Sequence, residues 1–148
     1  MRAGCPRPEQ GNDKPFDGMN DPRNLIPRDK FDIERAHAAI EAGFPAVEPI
    51  LPDLLGWIAD MNWPVASELL PFFCFIGLPL APYLRTIFET DDGQWKDWVL
   101  TLIVAKDLEL ALALRPQIER IAHNPTRNEI ADEMPQTALQ ILNALDKT

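Results

Sequence analysis

Three prolines set at near-regular intervals constrain this chain more than anything else in it. Pro52, Pro82 and Pro116 are 30 and then 34 residues apart. Two positions before them stand Ile50, Leu80 and Leu114, and two positions after stand Leu54, Leu84 and Ile118. Five positions after stand Trp57, Ile87 and Ile121. A companion match lies one helix earlier, where Asp60-x-x-Trp63 and Asp92-x-x-Trp95 are 32 residues apart. Proline suits the first turn of a helix, where its missing N–H has no intrahelical acceptor in any case. The pattern therefore predicts helix pairs that repeat one apolar face, with an early proline in the second helix of each pair. A repeat of this length is one supersecondary unit, unable to bury its face alone and so obliged to stack on its neighbours.

Residue choice agrees. Leu and Ala together number 34, Val and Thr only 10, and there is one Tyr, so the β-branched and aromatic residues of strand surfaces are scarce. Apolar spacing reads three and four, as at Leu51, Leu54, Leu55 and Ile58. Caps and breakers predict the boundaries. Asp32 opens a helix that stops at Gly43, and a second runs from about Ala46 to Asp60. A third starts at Pro64 and ends before Gly77, and a fourth runs from about Leu80 to Glu89. Asp92 opens a fifth helix reaching about Val104, and Asp107 a sixth reaching about Ala122. Thr126 and Glu129, at capping-box spacing, open a last stretch that Pro135 kinks or restarts. The fold class expected is all-α: a short HEAT-like α-α superhelix of about three helix pairs plus a C-terminal helix.

The stretch from Leu25 to about Leu145 also resembles a bacterial family of small HEAT-like domains, domain of unknown function family 5071. The pieces that carry the likeness are LIPRDKFDIE (Leu25 to Glu34), EPILPDLLGWIADMNWPVA (Glu48 to Ala66) and WKDWVL (Trp95 to Leu100). The resemblance implies a fold and a bacterial origin. It brings no activity, and so no catalytic residue, to this chain. Pro135 departs from the unbroken acidic helix of the family.

Residues 1–24 read as a disordered tail, and residues 25–148 as one domain. The first 23 residues carry four of the fifteen prolines and three of the seven glycines, and their four basic and four acidic residues cancel. Such a segment buries too little apolar surface to offset the entropy of ordering it. It also lacks an apolar run, so no secretory leader is expected and the cytoplasm is the expected compartment. The uncharged stretch Leu69 to Leu84 is too short for a bilayer and is interrupted by Pro71, Gly77, Pro79 and Pro82, so a buried helical hairpin is expected and no membrane partner.

The search for chemistry is mostly negative. Ser67 is the only serine, and Cys5 and Cys74 make no disulfide framework. Cys74 sits among Phe72, Phe73 and Phe75 and reads as an inert core thiol. His37 and His123 have no partner at metal-ligand spacing, so no metal or other cofactor is expected. The net charge of -9 argues against nucleic acid as a partner and against a nucleic-acid-modifying enzyme on a HEAT-like scaffold. Paired-acid catalysis would need two carboxyls across a cleft, whereas Asp92 and Asp60 both stand where a helix wants an N-cap. Trp57 and Trp98 read as core. Trp63 and Trp95, with Asp60, Asp91 and Asp92, remain as the candidate binding residues, an aromatic edge with acidic neighbours. Between Lys30 and Arg85 there is one basic residue, Arg35, against seven acids: Asp32, Glu34, Glu41, Glu48, Asp53, Asp60 and Glu68. Such a field steers a basic partner toward that half of the molecule. The expectation is a non-catalytic protein-interaction module, in its concrete version an immunity or antitoxin-like protein holding a basic partner. A structural or assembly subunit, self-associating through Leu69 to Leu84, is the alternative. Oligomeric state is left open.

Overall fold

The computed structural model describes residues 21–147, so most of the expected N-terminal tail lies outside the described residues. Asp21 caps a 3-10 turn, Pro22–Leu25, that packs against the first helix. The described residues form nine α-helices joined by short 3-10 turns, with no strand among them, so the fold is all-α.

Helix α1 (Ile33–Ala42) is capped by Asp32 and ends at Gly43. The segment expected as one helix from Ala46 to Asp60 is instead three short pieces: a 3-10 turn at Glu48–Ile50, α2 (Leu51–Leu55) and a second 3-10 turn at Gly56–Ala59. Pro49 and Pro52 withhold two N–H donors, and Gly56 adds backbone freedom, so a continuous ladder cannot form. Helix α3 (Pro64–Ile76) begins on its proline and stops at Gly77, and α4 (Ala81–Phe88) follows after a 3-10 turn at Leu78–Leu80. At Gly77 the backbone takes φ +67, and a Cβ there would lie 3.0 Å from the Asp107 carboxylate, so the turn between α3 and α4 admits no side chain without strain.

Helix α5 (Gly93–Leu102) is capped by Asp92. The single helix expected from Asp107 to Ala122 is divided at Leu114 into α6 (Leu108–Ala113) and α7 (Arg115–His123). Pro116 starts the second of these, as Pro52 and Pro82 start α2 and α4. A capping box at Thr126 and Glu129 opens α8 (Arg127–Ala131). Helix α9 (Met134–Asp146) restarts after Glu133, whose φ of 57 turns the chain one residue before Met134 and two before the proline expected to do it.

Most positions aligned by the repeat are buried, Trp57 being half-exposed. Ile50, Leu80 and Leu114 are fully or almost fully buried, as are Leu54, Leu84, Ile118 and Ile121. Each large side chain of this kind is worth about 1.5–3 kcal/mol on burial. One continuous core runs through all the layers. Helix α1 packs on α3, α7 packs on α9, and α5 lies between them, touching α4, α8, α9 and the Gly56–Ala59 turn. In a simple array each pair meets only its neighbours. Here α5 also touches the Gly56–Ala59 turn, more than thirty residues upstream.

The uncharged stretch is only partly a buried hairpin. Helices α3 and α4 meet at a 107° bend, and no single helix among the described residues is long and apolar enough to cross a membrane. Phe72, Phe73 and Ile76 face the core, but Phe75 is 85% exposed and Leu78 is exposed beside it. Cys74, expected in the core, is exposed as a residue, with its Sγ 3.5 Å from the Leu102 carbonyl. Partial burial of the sulfur pushes its pKa up. Three successive positions of a helix cannot share one face, so the Phe72–Phe75 run has to be split between core and solvent.

Candidate functional site

Four of the five candidate residues lie around the Gly56–Ala59 turn and the first turn of α5. Helix α2 is only five residues long, and the carbonyls at the end of such a helix have no intrahelical donors. Side chains from α5 supply a donor there and another at the end of the following 3-10 turn: the Trp95 indole Nε1–H donates to the Leu55 carbonyl at 3.0 Å, and the Gln94 amide donates to the Ala59 carbonyl at 3.0 Å. Trp95 is thus half-buried and fixed in orientation. Trp63 is also half-buried, its ring packed edge-to-face on Trp57 with centroids 5.6 Å apart and planes at 74°. Trp57, expected as core, stands in this half-exposed pair. Trp98, likewise expected as core, is half-buried, with its indole nitrogen shielded from solvent and lacking a hydrogen-bond partner among the described residues.

The aspartates serve their own turns. Asp92 caps α5, its Oδ1 accepting from the Trp95 backbone N–H at 3.0 Å. Asp60 does not cap α3, contrary to the expectation from its spacing. Its Oδ1 accepts from the Asn62 N–H at 2.9 Å, while its backbone carbonyl accepts from the Trp63 N–H at 3.1 Å. Trp63 itself takes the N-cap position in an extended conformation, φ -74 and ψ 133, as the residue before a proline must. Asp91 stands apart from this group, exposed at the rim of an open depression of about 390 Å³ that also exposes part of Arg120 and Thr126.

Beneath that depression is a cluster that sequence reasoning missed. Lys96 is 1% exposed and Glu129 0%. The Lys96 ammonium donates to Glu129 Oε2 at 2.9 Å, and the Arg120 guanidinium grips both carboxylate oxygens, at 3.0 and 2.5 Å. The Thr126 backbone N–H adds a fourth donor to Oε1 at 2.9 Å. Burial pushes the Glu129 carboxyl upward, but Arg120, Lys96 and the Thr126 N–H together outweigh it and hold the pKa at about 2. Glu129 was read only as half of a capping box. The signal for Lys96 was its place on the apolar face of α5, one turn before Val99 and Leu100, which are both buried. An ammonium on such a face needs a buried counter-ion.

At its N-terminus α5 approaches α8 so closely that a Cβ on Gly93 would lie 2.3 Å from Asp132 Oδ2 and 2.8 Å from the Asn128 carbonyl. Asp97, one turn on, has its carboxyl pushed up by burial, with Thr101 opposing and the nearby Asp132 charge adding to the rise.

The outer face of the N-terminal half is acidic. Glu34, Glu41, Glu48 and Asp53 are exposed. Glu34, His37, Ala38, Ile40 and Glu41 line a broad open depression of about 550 Å³ on α1, and His37 Nε2 pairs with Glu68 of α3 at 2.5 Å. Arg35 donates to the Ile26 carbonyl at 3.2 Å and lies 3.9 Å from the Asp32 carboxylate. Asp32 also binds Arg28, whose side-chain and backbone donors, followed by the Arg35 N–H, hold it down to about 2 against the effect of burial. Among the described residues no group of three or more His, Cys, Asp or Glu side chains is placed to hold a metal ion.

No curated protein matches the chain. The family model described as domain of unknown function DUF5071 matches residues 25–142, a span that runs from the turn before α1 into the last helix and includes every element just described. The chain belongs to the DUF5071 family.

Proposed function

We propose that this chain is a non-catalytic protein-interaction module whose acidic N-terminal face holds a basic partner. The observation that carries the reading is the division of labour among its charges. Glu34, Glu41, Glu48 and Asp53 project into solvent, while Arg35, the one basic residue between Lys30 and Arg85, spends its guanidinium on Ile26 and Asp32. The N-terminal half therefore carries an excess of negative charge, two of its carboxylates lining the depression on α1, and such a field speeds encounter with a basic surface and repels phosphate backbones. Asp60 and Asp92 each accept a backbone N–H of their own turn, a structural use that calls for no substrate. In its concrete form the module is an immunity or antitoxin-like protein of the bacterial cytoplasm that neutralises a basic toxin. Its scaffold is a compact relative of the HEAT-like stack, drawn together by the contact of α5 with the Gly56–Ala59 turn.

The test is retrieval from the native host of proteins bound to the wild-type chain and to a Glu34→Gln/Glu41→Gln/Asp53→Asn triple variant. A basic partner retained by the wild type, released by salt and lost from the variant is the expected result. Partners with no basic bias, or equal retention by both chains, would overturn it.

A second reading, self-assembly, draws on the exposed apolar side chains Phe75, Leu78, Leu108 and Leu112. Sedimentation across a hundredfold range of concentration separates the two. The interaction module predicts one mass throughout, and the assembly subunit a rising one.

A further inference from the structure

Between α2, α4 and α5 lies a small cleft of about 120 Å³ walled by Pro52, Leu55, Tyr83, Thr86, Ile87 and Trp95. Two of its walls are aromatic, and both rings are held from outside. The Trp95 indole is fixed by its bond to the Leu55 carbonyl. The Tyr83 hydroxyl donates to Glu48 Oε2 at 3.1 Å; burial first, then this carboxylate, pushes the phenol pKa up. Neither ring is free to swing into the space and fill it. Glu48 thus stands one hydrogen bond from the cleft, exposed, and Asp53 is exposed next to the wall residue Pro52. The two basic side chains nearest in sequence to the walls are engaged elsewhere. Arg85 donates to the Ala113 carbonyl at 3.3 Å, and Lys96 is buried on Glu129.

We infer that this cleft is a subsite for one aliphatic ammonium, a lysine side chain of the basic partner. The inference rests on the acidic-face reading and names the point at which that partner is anchored. Pro52, Leu55 and Ile87 give an apolar bed for the four-carbon stem, which a lysine buries readily while its head stays near water. At the mouth the ammonium meets the faces of Trp95 and Tyr83, whose ring quadrupoles attract a cation, and the Glu48 carboxylate supplies the counter-charge. A neutral chain of the same length would gain the stem contacts alone, and an anionic one would be repelled.

The test is a titration of the whole chain, followed by ¹H–¹⁵N correlation spectra, with n-pentylammonium, n-pentanol and pentanoate. Pentylammonium is expected to shift the Trp95 Nε1–H and the Leu55 and Tyr83 amides, saturating in the millimolar range. Pentanol should bind about fivefold more weakly, and pentanoate not at all. Glu48→Gln, a change at an exposed position, should weaken pentylammonium about threefold and leave pentanol unchanged. Thr86→Phe, also at an exposed position, should abolish both by filling the cleft. Equal binding of pentylammonium and pentanol, shifts confined to the Glu34–Glu41 face, or no shift at all would each overturn the assignment. The same spectra report whether each variant is folded. Loss of partner binding in the retrieval experiment with the pentylammonium shifts intact would remove the partner and leave the subsite. A partner retained by a chain that ignores pentylammonium would do the reverse.

Discussion

The starts of α3 and α5 carry the same Asp-x-x-Trp sequence and are built differently. At α5 the aspartate caps the helix and the tryptophan lies inside its first turn, reaching across to the Leu55 carbonyl. At α3 the helix begins one turn later, on Pro64, so the tryptophan becomes the capping residue and the aspartate is left in the preceding turn. Pro64 is the cause. It has no N–H to close the first turn onto the Asp60 carbonyl, and it forces Trp63 into an extended conformation. Trp63 therefore packs on Trp57 locally, whereas Trp95 ties two layers together. Equivalence in sequence fixed the neighbourhood of each residue without fixing its job.

The second difference is what lies behind each start. Helix α5 carries the buried Lys96–Glu129 pair, and α3 presents only apolar residues to the core. If that pair anchors α5, Glu129→Ala should cost about 3–5 kcal/mol by leaving Lys96 buried without a counter-charge, read as a fall in urea midpoint. A Lys96→Met/Glu129→Leu double change should recover most of the loss. No recovery would show that the anchor is the Arg120 grip and not the ammonium.

Acid sharpens the same contrast. The Glu129 pKa of about 2 in the folded chain lies below its ordinary value of 4.5, so its stabilisation is fully present above about pH 4.5 and is lost as pH falls toward 2. Asp32, lowered from 3.8 to about 2, acts in nearly the same window. The melting temperature should drop between pH 5 and pH 2, and Glu129→Gln should flatten much of that slope. An unchanged slope would remove Glu129 from the account.

The caps themselves should differ. Asp92→Ala is expected to cost about 1 kcal/mol, as the loss of a true N-cap does, and Asp60→Ala about half of that or less. Equal losses would erase the distinction drawn between the two starts. The smallest effect is the most diagnostic. In a Pro64→Ala background the helix is free to extend backward, and Asp60→Ala should then cost about 0.5 kcal/mol more than it does with the proline present. Simple additivity would mean that something other than Pro64 excludes Asp60 from the cap.

Boundaries set by local chemistry were legible in the sequence. Asp32, Asp92 and Asp107 cap, the box at Thr126 and Glu129 closes, and Gly43 and Gly77 stop their helices. What was not legible depended on partners far along the chain. The breaks at Gly56 and Leu114 are the exception, since they come at a glycine and two residues before Pro116, but periodicity alone reads straight through them. Cys74 and Phe75 looked like core because their neighbours are apolar, yet both lie on the solvent side of α3, while Ile76 at its end is buried. Lys96 was concealed by its charge, which ordinarily marks a surface position. Spacing singles out Trp63, Trp95, Asp60 and Asp92 as candidates, but their placement around the Gly56–Ala59 turn and the first turn of α5 is not legible in it. Nothing in the repeat says that α5 would supply donors to carbonyls 40 and 35 residues upstream.

The tight seat of Gly93 on Asp132 and Asn128 has a consequence for the cleft between α2, α4 and α5. No residue of its wall comes after Trp95, yet Trp95 sits two residues past the glycine that seats the start of α5 on a five-residue helix far downstream. A chain truncated before Arg127 would keep every wall residue and lose the alignment. Even Gly93→Ala, by forcing the two backbones apart, should disorder an aromatic wall it never touches.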